Sequence, residues 1–112
     1  MFTITESTGL DIRIHRGIAT VYGIGTCTDA DIVLPYEYNG VPVTHIADEA
    51  FKGNNKINSI CCSNVTHIGS YAFAESSLKN FTGIKLKTVG LRVFDHCNIE
   101  TAAVPVGYGI LF

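Results

Sequence analysis

The sequence predicts a mainly β solenoid with short helical turns, closed at its N-terminal end by a β-hairpin cap. Three observations predict it. The stretch Ile46-Ala47-Asp48-Glu49-Ala50-Phe51 is written again as Ile68-Gly69-Ser70-Tyr71-Ala72-Phe73 and as Val89-Gly90-Leu91-Arg92-Val93-Phe94, at spacings of 22 and 21 residues. A fixed period of this length marks supersecondary units that stack and share one core. A short apolar run with period-two alternation precedes the second and third copies, as Ile57, Ile60, Cys62 and as Leu78, Phe81, Gly83. The first thirty residues do not share the period and alternate as strands do.

At 112 residues the chain is long enough to bury one core unaided. Hydrophobic content of 46% is ordinary, and 16% charged residues is low, as suits a chain rich in strand. A net charge of -2 with only 8 Lys and Arg gives no basic stripe, which argues against nucleic acid as a partner. The charge is uneven. Residues 1–50 carry seven carboxylates against two arginines (-5), and residues 51–112 carry six cations against three carboxylates (+3). Isolated surface charges contribute little to association, but such a dipolar solenoid could meet its neighbours end to end. No run approaches the 18 or so apolar residues of a membrane span, and no basic region followed by an apolar run marks a signal peptide in this chain.

Taken in order, residues 2–5 and 11–14 alternate apolar and polar positions around the turn chemistry of Ser7-Thr8-Gly9, and Ile18 to Tyr22 alternates again, making 11–22 a hairpin. Residues 1–30 form the cap, which would cover the apolar interior and strand edge of the first coil. Gly23-Ile24-Gly25-Thr26 lacks the Lys-Ser/Thr ending and helix of a phosphate loop and reads as a turn. Asp29-Ala30-Asp31 lacks the spaced ligands of a calcium cage and reads as a turn with solvated carboxylates. Repeats of about 21–22 residues run from 31 to 105. The first holds a strand at Ile32 to Leu34, stopped by Pro35, then a loop from Tyr36 to Val43. Residues 106–112, with the apolar tail Ile110-Leu111-Phe112, are a C-terminal cap or a truncated repeat.

Laid in register, Ile57, Ile60, Cys62, Val65, Ile68, Ala72 and Phe73 stand over Leu78, Phe81, Gly83, Leu86, Val89, Val93 and Phe94, and are read as inward. A fourth copy begins with Ile99, Ala102, Val104 and Pro105. Each closing Ala-Phe or Val-Phe is expected on a short helical turn, N-capped by Asp48 or Ser70 and weakened where Leu91 replaces them. Equivalent residues would lie about 4.8 Å apart, the spacing of hydrogen-bonded strands, so Phe51, Phe73 and Phe94 form an offset-stacked ladder.

These residues resemble the BspA type of leucine-rich repeat. The resemblance is carried by Ile68-Gly69 with Ala72-Phe73 and its copies, and by Leu34-Pro35 and Val104-Pro105, which are similar to the family's strand-ending Ile-Pro. It extends to Gly17-Ile18-Ala19-Thr20-Val21-Tyr22-Gly23, Asp31-Ile32-Val33-Leu34-Pro35 and the stretch Asn39 to Ala47, and so covers 17–105. Val65 and Leu86 replace the Asn ladder of horseshoe-type repeats, which favours this subclass. Cys97 resembles the Cys that often follows Ala-Phe by three, with Asn54 and Ser76 in the equivalent places, which implies a structural role. Ser63 and Gly83 depart from Ile-Pro, so the second and third strands are expected to be less regular. The resemblance implies a right-handed solenoid of three to four repeats, similar to surface, secreted and host-facing proteins that bind proteins or matrix components. It brings no catalytic residues and no cofactor.

The implied binding surface is the exposed strand face, Ser59, Cys61, Asn80, Thr82, Thr101 and Ala103, joined by Tyr36, Tyr38 and Asn39 of the loop. Four short strands offer only a few hundred Å², roughly, against about 800 Å² per partner in a standard interface, so the loop, the rims or several copies must contribute. His45 and His67 share a repeat position, followed by Thr88; with no third ligand in the column they read as exposed imidazoles after a turn rather than as a metal site. Asn64-Val65-Thr66 and Asn80-Phe81-Thr82 are formal glycosylation sequons. Cys27, Cys61, Cys62 and Cys97 show neither zinc spacing nor a disulfide framework and read as free thiols, Cys61 and Cys62 on opposite faces of a strand. Cys61 or Cys97 with His67 or His96 lacks any oxyanion device, so no enzyme is expected. Two functions follow as expectations: a non-enzymatic protein-binding or adhesion module, or a structural building block of a surface layer or particle that self-associates through its ends.

Overall fold

The computed structural model describes residues 5–107. The strand expected at 2–5 falls outside them except for Thr5, as does the apolar tail Ile110-Leu111-Phe112. The described chain is mainly β, and a solenoid of about four turns. Its strands in chain order are β1 (Asp11–His15), β2 (Ile18–Gly23), β3 (Asp31–Val33), β4 (Glu37–Tyr38), β5 (Val41–Ile46), β6 (Ser59–Cys61), β7 (His67–Ile68), β8 (Asn80–Thr82), β9 (Thr88–Val89) and β10 (Thr101–Ala103). No helix among the described residues is long and apolar enough to cross a membrane.

Each coil contributes one strand to each of two sheets. A four-stranded sheet in the order β10-β8-β6-β3 is parallel throughout, pairing Ile32 with Ile60, Ile60 with Phe81, and Phe81 with Ala102. The other sheet runs β1-β2-β5-β7-β9, with β4 also paired to β5. Its repeat part is parallel, pairing Ile46 with Ile68 and Ile68 with Val89. The 22- and 21-residue spacings of the sequence are therefore the rungs of both ladders. β1 and β2 join antiparallel through Arg16 and Gly17, both at positive φ as a two-residue hairpin turn requires, and β2 then pairs in parallel with β5. At the other sheet, Ser7 occupies the outer edge of β3: its amide donates to the Val33 carbonyl and its hydroxyl accepts from the Val33 amide.

The core lies between the sheets and matches the inward register. Ile57, Ile60, Cys62, Val65, Ile68, Ala72 and Phe73 are all buried, as are Leu78, Phe81, Leu86, Val93 and Phe94, with Val89 packed against them. Phe51, Phe73 and Phe94 stack with centroids 5.3 and 5.7 Å apart and planes 2° and 8° from parallel. Phe81 meets Phe73 and Phe94 edge-on. Gly83 answers this bulk: a Cβ there would press on the Phe81 ring at 2.8 Å. β6 and β8 are as regular as β3 and β10, each three residues in unbroken register, so the expected irregularity at Ser63 and Gly83 is not found.

The turns that carry Ala-Phe are not helical. Alternate amides leave the turn: those of Glu49, Phe51 and Gly53 donate to the carbonyls of Ser70, Ala72 and Ala74, and those of Tyr71, Phe73 and Glu75 to Leu91, Val93 and Asp95. The amides between them close three-residue turns, Ala50 to Ala47 and Ala74 to Tyr71. A helix would keep every amide within the segment; here half of them tie coil to coil. The price is a left-handed backbone at Glu49, Tyr71 and Arg92 (φ 58, 58 and 47). The expected N-caps act differently too. Asp48 accepts the amide of Ser70, and the Ser70 hydroxyl accepts that of Leu91, so each serves the next coil.

Candidate functional site: the strand face

The outward side chains of the four-stranded sheet fall in two columns, because successive residues of a strand point to opposite faces. One column is Asp31, Ser59, Asn80 and Thr101; the other is Val33, Cys61, Thr82 and Ala103. The six strand residues expected from the sequence therefore share one face. Ser59, Cys61, Asn80 and Thr82 are half-buried, and Thr101 and Ala103 are exposed. Asp31 and Val33 complete the columns. Carrying the register back one period from Ser59 and Cys61 would have found them; Asp31 opens β3 rather than belonging to a solvated turn.

The polar column is internally bonded. Asn58 Nδ2 and Ser59 Oγ donate to Asp31 Oδ1 at 2.9 and 2.8 Å, and Thr101 Oγ1 donates to Asn80 Oδ1 at 2.6 Å. The two bonds to Asp31 hold its carboxyl below the usual carboxylate range, Asn58 contributing most, against a smaller opposing effect of desolvation. The face thus presents a fixed carboxylate at one end and neutral side chains along the rest, with rotamers already restrained before any partner arrives.

Tyr36, Tyr38 and Asn39 do not lie on a loop. Residues 36–43 form a hairpin: β4 pairs antiparallel with β5 across Asn39-Gly40, both at positive φ (50 and 80). This is the type I′ chemistry that Asn-Gly favours. The hairpin is an insertion into the first coil, because Val43 donates back to the Tyr36 carbonyl at 2.9 Å and the repeat resumes there. Tyr36 is 49% exposed, held by Glu6 at its amide and by Asn64 at its carbonyl. Tyr38 borders a groove shared with Leu10, Ile12 and Pro35.

His45 and His67 stack face to face, 4.3 Å apart and 7° from parallel, and are half-buried rather than exposed. Each Nδ1 is bonded to the preceding threonine hydroxyl, Thr44 at 2.8 Å and Thr66 at 2.7 Å. Parallel rings aim their remaining nitrogens the same way instead of converging on one ion. Among the described residues no group of three or more His, Cys, Asp and Glu could hold a metal. Burial, then repulsion from His67, lowers the pKa of His45. With the folded value depressed, stability is complete above the unfolded value of about 6.5 and is lost as pH falls through the folded one. His45→Gln should therefore flatten part of the fall in denaturation midpoint between neutral pH and about pH 5; an unchanged slope would contradict this.

All four cysteines are free. Cys62 is buried in the core, where desolvation, with a smaller effect of Cys61, pushes its thiol well up, while Cys61 faces outward. Cys97 donates to the Phe73 carbonyl at 2.7 Å, tying the third turn to the second. Asn54 and Ser76 hold the same position and accept amides of their own turns, from Lys56 and from Leu78. His96 is bonded to Asp95, not to a thiol.

Residues 35–108 match a family model described as a BspA type leucine rich repeat region (6 copies). The copy number is above the three to four repeats expected, and the match begins at Pro35, after the Gly17 at which the resemblance was read to start. No curated protein and no solved structure matches the chain.

Proposed function

The chain belongs to the BspA-type leucine-rich-repeat family, and from this we propose that it is a non-enzymatic protein-binding or adhesion module. Stacked repeats create extended surfaces on which partners dock. The observation that supports this reading is the strand face: two registered columns of small side chains, Asp31 to Thr101 and Val33 to Ala103, pre-ordered by their own hydrogen bonds. The 36–43 hairpin adds Tyr36 and Tyr38, the aromatic type that dominates interface energetics. The partner is a host, matrix or other surface protein. The test is capture from a matrix extract by the immobilised full chain. Ser59→Arg/Thr82→Arg, which fills the face with two long cations, should lose the captured protein, and Arg92→Ser, on a coil-closing turn, should retain it. Equal capture by both variants would contradict the reading.

A second reading, a structural block that self-associates through its ends, is favoured by β10, whose three residues are all exposed. Thr101 N–H bonds to Lys79 and Ala103 C=O accepts from Gly83, both towards β8. The alternation of a ladder turns the Ala102 N–H and C=O to the open side. Because Ser7 fills the opposite edge, strand addition at this sheet would give a closed pair rather than a filament. A monomeric mass at high concentration in low and high salt would exclude it.

A further inference from the structure

The bend between the two sheets repeats once per coil and forms a third surface, beside the strand face. Its positions are Pro35 and Tyr36, Ser63 and Asn64, Ile84 and Lys85, and Pro105 and Val106, each pair three or fewer residues past the registered strands. Tyr36 is 49% exposed, Ile84 58% and Val106 104%. Single exposed apolar residues are ordinary, but a row of them along one edge is not. The row is physically joined: Asn64 Nδ2 donates to the Tyr36 carbonyl, Lys85 Nζ donates to Asn64 Oδ1, both at 3.3 Å, and the same ammonium lies 5.5 Å from the centre of the Tyr36 ring. Lys85 is a cation with no carboxylate partner among the described residues. The nearest acids belong to the hairpin end, where Glu6 is bonded to the Tyr36 amide and Glu37 is exposed on β4.

We propose that this ridge docks an extended acidic and apolar peptide segment of a partner protein, its aliphatic side chains on Ile84 and Tyr36 and a carboxylate on Lys85. The proposal rests on the binding-module reading and names the partner's chemistry at its hairpin flank. Charge complementarity sets polarity: the acidic residue sits at the third coil, away from Glu37. Length agrees as well, because three coil steps of about 4.8 Å match four to five extended residues at about 3.3 Å each. A membrane surface fits less well, since anionic lipid is held by clusters of four to eight cations, roughly, and this ridge offers one lysine among apolar groups.

The test is titration of the isotopically labelled full chain with a synthetic peptide of alternating Glu and Leu, its Lys-Leu counterpart, and anionic phosphatidylserine vesicles, followed by amide chemical shifts. The acidic peptide should move the amides of Asn64, Ile84 and Lys85. Binding should fall with added salt and drop about tenfold in Lys85→Glu and in Ile84→Ser, both exposed positions whose substitution leaves the core intact. Equal binding of the Lys-Leu peptide or of the vesicles would overturn the proposal. So would shifts confined to Ser59, Asn80 and Thr101, which would leave the strand-face reading standing.

Discussion

Replacing Phe73 with alanine should lower the unfolding free energy by about 3–5 kcal/mol, the range for emptying a buried aromatic site. Phe73 is fully buried and is the middle rung of the ring ladder, between Phe51 and Phe94 and against the edge of Phe81. Its backbone amide is committed to the Val93 carbonyl and its own carbonyl to the Cys97 thiol, so the turn cannot collapse into the void without breaking ties to the next coil. A domain of this size has about 5–15 kcal/mol in hand, so the loss would show as a large fall in the denaturant midpoint. Phe94→Ala, at a rung left 9% exposed, should cost less. Equal effects, or an unchanged Phe73→Ala midpoint, would mean the rings do not stack in this order.

Gly69→Ala should cost about 1–3 kcal/mol, the scale of overpacking a tight contact. A Cβ at Gly69 would overlap the backbone amide nitrogen of Asp48, and one at Gly90 would overlap that of Ser70. Neither glycine has a positive φ, so the demand is close approach between coils and not an unusual backbone. The same repeat position is Ala47 in the first coil, where the amide bonds to Val21 of β2 and no earlier coil-closing turn lies beneath. Alanine is thus already tolerated where that neighbour is missing. Thermal or denaturant unfolding of Gly69→Ala and Gly90→Ala checks this, and neutrality at both would remove the proposed inter-coil contact.

The period and the inside of the molecule were legible because burial is written into the sequence every 21–22 residues, and Ile60, Phe81 and Phe73 could occupy only one side of it. The turns were misread for a physical reason. Ile68 and Ala72, four apart, mimic the spacing of one helical face, whereas only a neighbouring coil reveals that the amides of Tyr71 and Phe73 leave the segment. Asp48 and Ser70 look like N-caps for the same reason: a side-chain oxygen that accepts an amide one coil away has no signature within its own coil. At the site, the alternation of β6, β8 and β10 placed six face residues correctly, but Asp31 and Val33 were passed over because the acid-rich stretch from Asp29 reads locally as a turn. The hairpin at Asn39-Gly40 had its signal in the turn residues themselves. The ridge had none: Tyr36, Asn64 and Lys85 share a repeat position but no chemistry until stacking sets them side by side.

Thiol labelling of the folded chain, mapped cysteine by cysteine with and without the captured protein partner, tests most directly whether the strand face is the binding surface. Cys61 and Cys62 are adjacent in sequence but lie on opposite sides of the sheet, one on the face and one in the core. The expected result is that Cys61 is labelled in the free chain, that Cys62 is labelled only on unfolding, and that the bound partner shields Cys61. Labelling of Cys62 as fast as Cys61 in the folded chain would contradict the register, and a Cys61 that stays reactive in the complex would contradict the site.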